Sequence, residues 1–152
     1  MEPRISYLLG RLDRVLRRRL STAVESVGLT LPAYTALSVL RVSDGLSNAH
    51  LARLSLVTPQ SMSEVLAQLV EKGYVRRRAE PGHGRVILIE LTTAGSRALE
   101  RGDRAVDAVE GEMLAEFDAD EVARLRVVLQ RCSRTLEGGV ISSTAPSGRP
   151  PT

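Results

Sequence analysis

Between Ser47 and Leu91 the apolar spacing of this chain changes from helical to strand-like, and each change of element is punctuated. Leu46-Ser47 sets an apolar residue before a serine cap, with Leu51 placed to close a hydrophobic staple. Val57-Thr58 repeats the device with Met62, and Pro59 takes the favoured first helical position. The helix that follows Thr58 places Met62, Val65, Leu66, Leu69 and Val70 on its buried side. Gln60, Ser61, Glu64 and Gln68 lie on or near the opposite side, and Gly73 supplies a left-handed stop. Two strands then flank a glycine-rich basic turn, RRRAEPGHGRVILIELT, with Ile87, Ile89 and Leu91 alternating inward.

The flanks are helical. Ile5, Leu8, Leu9, Leu12, Leu16, Leu20, Ala23 and Val27 recur at helical spacing, with Arg11, Arg14 and Arg18 on the wet side and Gly28 as a stop. Thr30 caps a second helix with Pro32 in its first turn; Ala33, Leu37 and Leu40 face inward, and Asp44-Gly45 breaks it. Thr92 caps a long helix to about Phe117, with Leu99, Val106, Val109 and Met113 on one stripe. Asp118 to Glu121 forms a capping box that opens a last helix. There Val122, Leu125, Leu129, Cys132 and Leu136 follow a three-four-three-four spacing, the seam of a helix packed lengthwise on another. Gly138-Gly139 is expected to end it, leaving a polar, proline-rich tail over 138–152 that is expected to be disordered.

The expected fold is mainly α with a small β-hairpin wing, a winged helix-turn-helix over 29–91. Flanking helices at 5–28 and 92–137 form a dimerisation region, because two terminal amphipathic helices around a central module can pair with a second copy. Packing of those helices on their own module is the alternative.

Composition narrows the function. With Tyr7, Tyr34, Tyr74 and Phe117 as the only aromatics, stacking platforms for single-stranded nucleic acid are poorly supported. A net charge of +3 identifies nothing alone, but Arg76, Arg77, Arg78 and Arg85 cluster at one turn while 100–121 is mainly acidic. That distribution favours oriented docking. The single Cys132 excludes an internal disulfide and any cysteine-based metal cluster. Two histidines, His50 and His83, argue against metal sensing. No apolar run approaches the roughly 20 residues of a membrane span, and no leader pattern opens the chain, so no membrane partner and a cytoplasmic location are expected. No nucleophile stands beside a base in motif and no glycine-rich phosphate loop is present, so no enzyme and no cofactor are expected.

What remains suits duplex DNA. Thr58, Gln60, Ser61 and Ser63 put short hydroxyl and amide groups on a helix able to enter a major groove, with Gln60 the candidate for adenine readout. The same residues equally suit first-turn capping on a solvated face. Arg85, just past Gly82-His83-Gly84, can enter a minor groove or serve only as a loop charge. Arg76 to Arg78 alternate across a strand, so at least one is expected to pair with Glu80 or Glu90 instead of phosphate.

The run from Gly28 to Gly95 resembles the winged helix-turn-helix of the MarR (multiple antibiotic resistance regulator) family. The residues that carry the likeness are GLTLPAYTAL, SNAHLARLSLVTPQSMSEVLAQLVEKGYV and a wing closing in R-x-x-x-x-x-LT-x-x-G, with flanking helices extending it to roughly 5–137. The resemblance implies a homodimer bound to a pseudo-palindromic double-stranded operator. It also implies a repressor of its own or neighbouring genes, released by a small organic effector between the DNA-binding and dimer regions. It adds Arg77 and His83 to the DNA-binding set. His83 stands where the family's wings commonly carry an Asp that orients arginines, and as a histidine it cannot do so as an anion. The effector pocket is expected to be mainly aliphatic, lined from the first, second and long helices, with Tyr7 and Tyr34 as candidates; a regulator with no well-defined ligand is the alternative. Cys132 is expected to be a small buried hydrophobe. A winged-helix protein-interaction module without DNA binding is the alternative.

Overall fold

The computed structural model describes residues 1–141, with side chains described to 138. Six helices and a three-stranded antiparallel sheet follow in the order α1 (Ile5–Glu25), α2 (Leu31–Val42), β1 (Leu46–Ser47), α3 (Asn48–Leu54), α4 (Pro59–Glu71), β2 (Val75–Glu80), β3 (His83–Leu91), α5 (Thr93–Met113) and α6 (Ala119–Ile141). The chain forms two compact units, one to Gly111 and one from Glu112.

In the first unit the caps sit where the sequence puts them. The side chains of Thr30, Ser47, Thr58 and Thr92 accept from the backbone N–H groups of Ala33, His50, Ser61 and Gly95. Gly28, Gly45 and Gly73 hold φ of +83°, +74° and +70° at the three expected stops. Leu37, Leu40, Leu51, Met62, Leu66, Leu69, Ile89 and Leu99 are fully buried side chains of one core. Each contributes about 1.5–3 kcal/mol of burial free energy. The core therefore holds α2, α3, α4, the base of the sheet and the start of α5 together.

A third strand was not expected. Leu46 and Ser47 pair with Ile89 and Leu88, so the sheet runs β1-β3-β2 and ties the start of α3 to the base of the hairpin.

Several sequence expectations need correction. Val24, not Ala23 or Val27, is the buried residue of α1. Val70 and Ile87 are exposed. Val70 stands at the edge of the stripe set by Met62, Leu66 and Leu69, and Ile87 lies in the half of the hairpin beyond the core. The long helix stops at Met113, a turn before Phe117, and α6 continues past Gly138-Gly139 to Ile141. The remainder of the expected tail, 142–152, lies outside the described residues.

In the second unit, the Asp118 capping box is complete. Glu121 Oε2 accepts from the Asp118 N–H at 2.9 Å, and Asp118 Oδ1 from the Glu121 N–H at 2.8 Å. Leu125, Leu129 and Leu136 of α6 are exposed, and so is Cys132, which was expected to be buried; among the described residues of this one chain nothing covers that seam. The N-terminal half of α1 likewise exposes Ile5, Leu8, Leu9, Leu12 and Val15. No helix among the described residues is long and apolar enough to cross a membrane.

Candidate nucleic-acid interface

Helix α4 presents its first turn to solvent. Thr58, Gln60, Ser61 and Ser63 are all exposed. Their free hydrogen-bonding capacity differs. Thr58 accepts from the Ser61 N–H at 3.1 Å and donates its hydroxyl to Ser61 Oγ at 3.0 Å, so the cap engages both side chains. Ser63 donates back to the Pro59 carbonyl at 2.9 Å and receives the Asn48 amide at 3.0 Å. Gln60 has no protein partner among the described residues. The amide best suited to a base edge is therefore the one left uncommitted.

The hairpin sorts its arginines by strand alternation. Arg76 lies opposite Glu90, and Arg78, two residues on, shares its face. Glu90 accepts from both: from Arg76 Nε at 2.8 Å and from Arg78 Nε. Glu90 is buried, and the Arg78 and Arg76 hydrogen bonds hold its carboxyl below the usual carboxylate range, outweighing the opposite effect of desolvation. The expectation that at least one arginine pairs with Glu80 or Glu90 is met twice over on Glu90. Arg77 points to the other face, opposite Ile89, and has no protein partner among the described residues.

The tip departs from the expected turn. Its tight residues are Pro81 and Gly82, the latter at φ +81°, and His83 already pairs with Glu80. The next pairing joins Ala79 to Ile87, which leaves Gly84, Arg85 and Val86 in a bulge. Arg85 is exposed there, without a protein partner among the described residues. His83 is exposed at the start of β3.

Arg77 and α4 meet in a cleft of about 230 Å³ lined by Asn48, Ser63, Leu66, Arg77, Ile87 and Ile89. Asn48 was not singled out from sequence. Its position, one residue after the Ser47 cap, gives no hint that its side chain reaches the next helix.

A second cleft, of about 330 Å³, opens between α1, α2 and the α3–α4 turn. Leu16, Leu20, Leu31 and Val57 line it, with the Asp13–Arg17 ion pair, Thr35 and Ser55 as its polar groups. Ser55 is 8% exposed and its hydroxyl has no partner. Beside it Leu56 holds φ of +57°, the only non-glycine residue in that region among the described residues. Helices α1 and α2, two of the three expected to line an effector pocket, border this cleft, and α5 does not.

Neither candidate tyrosine borders this cleft. Tyr7 is exposed on α1, with the Arg11 guanidinium 6.0 Å from its ring centre. Tyr34 donates to Asp103 at 3.0 Å, and Asp103 also receives Arg41, which ties α2 to α5. Burial, and then that hydrogen bond, push the Tyr34 phenol above its ordinary value. Among the described residues no three His, Cys, Asp or Glu side chains are grouped to hold a metal ion.

Known proteins share this fold. Residues 27–86 match the model of the MarR family. The HTH-type transcriptional repressor Rv2887 of Mycobacterium tuberculosis is 38% identical over 127 residues, covering 84% of this chain and 91% of the relative. The solved structure of Rv2887 in complex with DNA has a TM-score of 0.74 at 34% identity, over 86% of this chain and 98% of that one. Its complex with salicylic acid gives 0.72 at 37% identity, over 86% and 97%.

Proposed function

The chain belongs to the MarR family, and from that premise we propose a homodimeric, sequence-specific DNA-binding transcriptional repressor that a small aromatic acid releases from its operator. One observation carries the reading: Arg77 of the hairpin and Ser63 of α4 line the same cleft, so helix and wing form one continuous reading surface. The relative Rv2887 is a repressor with structures in complex with DNA and with salicylic acid.

On this reading residues 29–91 bind a pseudo-palindromic duplex. Gln60 reads a base edge, Thr58 and Ser61 approach the backbone from the capped helix start, and Arg77, His83 and Arg85 contact phosphate or the minor groove. The regions 5–28 and 92–137 dimerise through the exposed apolar faces of α1 and α6, which an isolated chain would leave in water. The protein works in the bacterial cytosol, on the nucleoid when bound, and by binding rather than catalysis.

The cleft beside the α3–α4 turn is the proposed effector site, in place of one built on Tyr7 and Tyr34. Its aliphatic wall suits a ring, the Ser55 hydroxyl lacks a partner, and Arg17 can exchange Asp13 for a ligand carboxylate. Residues 55–57 lead directly into the Thr58 cap, so an occupant would displace the start of the reading helix.

The test is selection of bound duplexes from a random library, followed by titration of the selected duplex with salt and with salicylate. Tight binding to a palindromic consensus that falls steeply with salt and weakens with salicylate is expected. Equal affinity for selected and unselected duplexes would overturn the reading.

A further inference from the structure

Asn48 carries an unanswered hydrogen-bond acceptor into the cleft between reading helix and wing. Its Nδ2 donates to the Pro59 carbonyl at 3.1 Å and to Ser63 Oγ at 3.0 Å. Both contacts fix the orientation of the amide. A carbonyl oxygen only accepts, and the Ser63 hydroxyl has given its proton to that same carbonyl at 2.9 Å, so the nitrogen must face them. The Oδ1 atom is thereby turned away, is shielded from solvent, and has no partner among the described residues.

A buried acceptor left unpaired loses its hydration with nothing in return, so its placement calls for a donor. The donors lining the cleft are few. Ser63 is committed, and Leu66, Ile87 and Ile89 have none to offer from their side chains. Arg77 is the remaining lining residue, a five-donor guanidinium with no protein partner among the described residues. Its two neighbours, Arg76 and Arg78, are held by Glu90 on the other face.

We propose that Asn48 is a positioning residue for DNA reading: its Oδ1 receives the Arg77 guanidinium while its Nδ2 holds the first turn of α4, so one amide sets the wing arginine against the reading helix. This rests on the function proposed above. Docking on Asn48 uses one edge of the guanidinium and leaves its other N–H groups to face phosphate. The restriction of a long side chain before contact then favours the bound state.

A double-mutant cycle tests this, using the full chain and a duplex selected by the wild-type protein. With Arg77 present, Asn48→Ala is expected to weaken binding by about threefold to tenfold, in the range of directly coupled residues. In the Arg77→Ala background the same change is expected to alter affinity by less than about twofold, the scatter of independent sites. Loosening of α4 alone would weaken binding equally in both backgrounds and overturn the proposal. Should Asn48→Ala fail to fold, Asn48→Ser carries the same cycle, because it likewise removes the amide carbonyl and keeps a small polar side chain at the start of α3. If the wild type selects no duplex, the function falls and this inference with it; if it binds and the losses are additive, only this inference falls.

Discussion

The Nζ of Lys72, the only lysine in the chain, lies 2.9 Å from the carbonyl oxygen of Gly28. One residue follows the end of α4 and the other closes the loop after α1, so a single ammonium links the exit of the reading helix to the N-terminal helix. Lys72→Met keeps most of the aliphatic stem and removes the donor. Because the site is exposed and water can replace the contact, the loss is expected below the usual range for a charged hydrogen bond, at roughly 1 kcal/mol. Urea unfolding checks it; an unchanged midpoint would show that the contact contributes nothing.

Glu90 restrains two arginines, and its neutral isostere should release them. Glu90→Gln is expected to strengthen binding to unrelated duplexes more than to the selected one. The slope of log affinity against log salt should steepen by about 1–2, as each added phosphate contact contributes roughly 0.9. A salt slope identical to wild type would mean that Arg76 and Arg78 stay off the DNA even when unpaired.

The same carboxylate gives the fold an acid sensitivity. Its folded pKa is depressed, first by Arg78 and then by Arg76. Its stabilising contribution is therefore present above the ordinary glutamate value of about 4.3 and lost as pH falls through the lower folded value. The stability difference between wild type and Glu90→Gln should be level near neutrality and shrink below about pH 4.3. Thermal unfolding across that range measures it, and a gap that holds constant into acid would remove Glu90 as the cause.

Two glycines of α5 should respond oppositely to alanine. At Gly95 an added Cβ would lie 2.0 Å from the Tyr74 carbonyl oxygen, whereas at Gly111 nothing stands within 4 Å. Helix propensity favours alanine at both by up to about 1 kcal/mol. The backbone clash outweighs it at Gly95, where a loss of about 3 kcal/mol is expected. Gly111→Ala should be neutral or stabilising. Chemical denaturation of the pair decides the matter, since a tolerated Gly95→Ala would contradict the close approach.

The caps at Thr30, Ser47, Thr58 and Thr92 were legible because each depends on residues within one turn. So was the division of the arginines into two faces, since alternation follows from the strand itself. Which carboxylate would hold Arg76 and Arg78 was not legible. That depends on the pairing register of β2 and β3, and on a bulge that no local pattern announces. Asn48 was missed for the same reason: its contacts to Pro59 and Ser63 cross between helices. The cleft at Ser55 and Leu56 depends on how α1 and α2 approach the α3–α4 turn, a packing outcome that apolar periodicity leaves open.

The junction at Gly95 has a mechanical side. Thr92 donates its N–H to Tyr74 and its hydroxyl to the Gly73 carbonyl, and Gly95 rests on the Tyr74 carbonyl. The exit of α4 and the entry of α5 are thus riveted at three points with no hinge between them. Helix α5 has 21 residues and spans roughly 30 Å at about 1.5 Å per residue. It acts as a lever arm: a tilt of roughly 10° about its far end swings the reading helix by about 5 Å, close to one helical pitch. Any tilt of α5 within the first unit would therefore carry the exit of α4 with it, and on the proposed function it would reach the operator as a change of address.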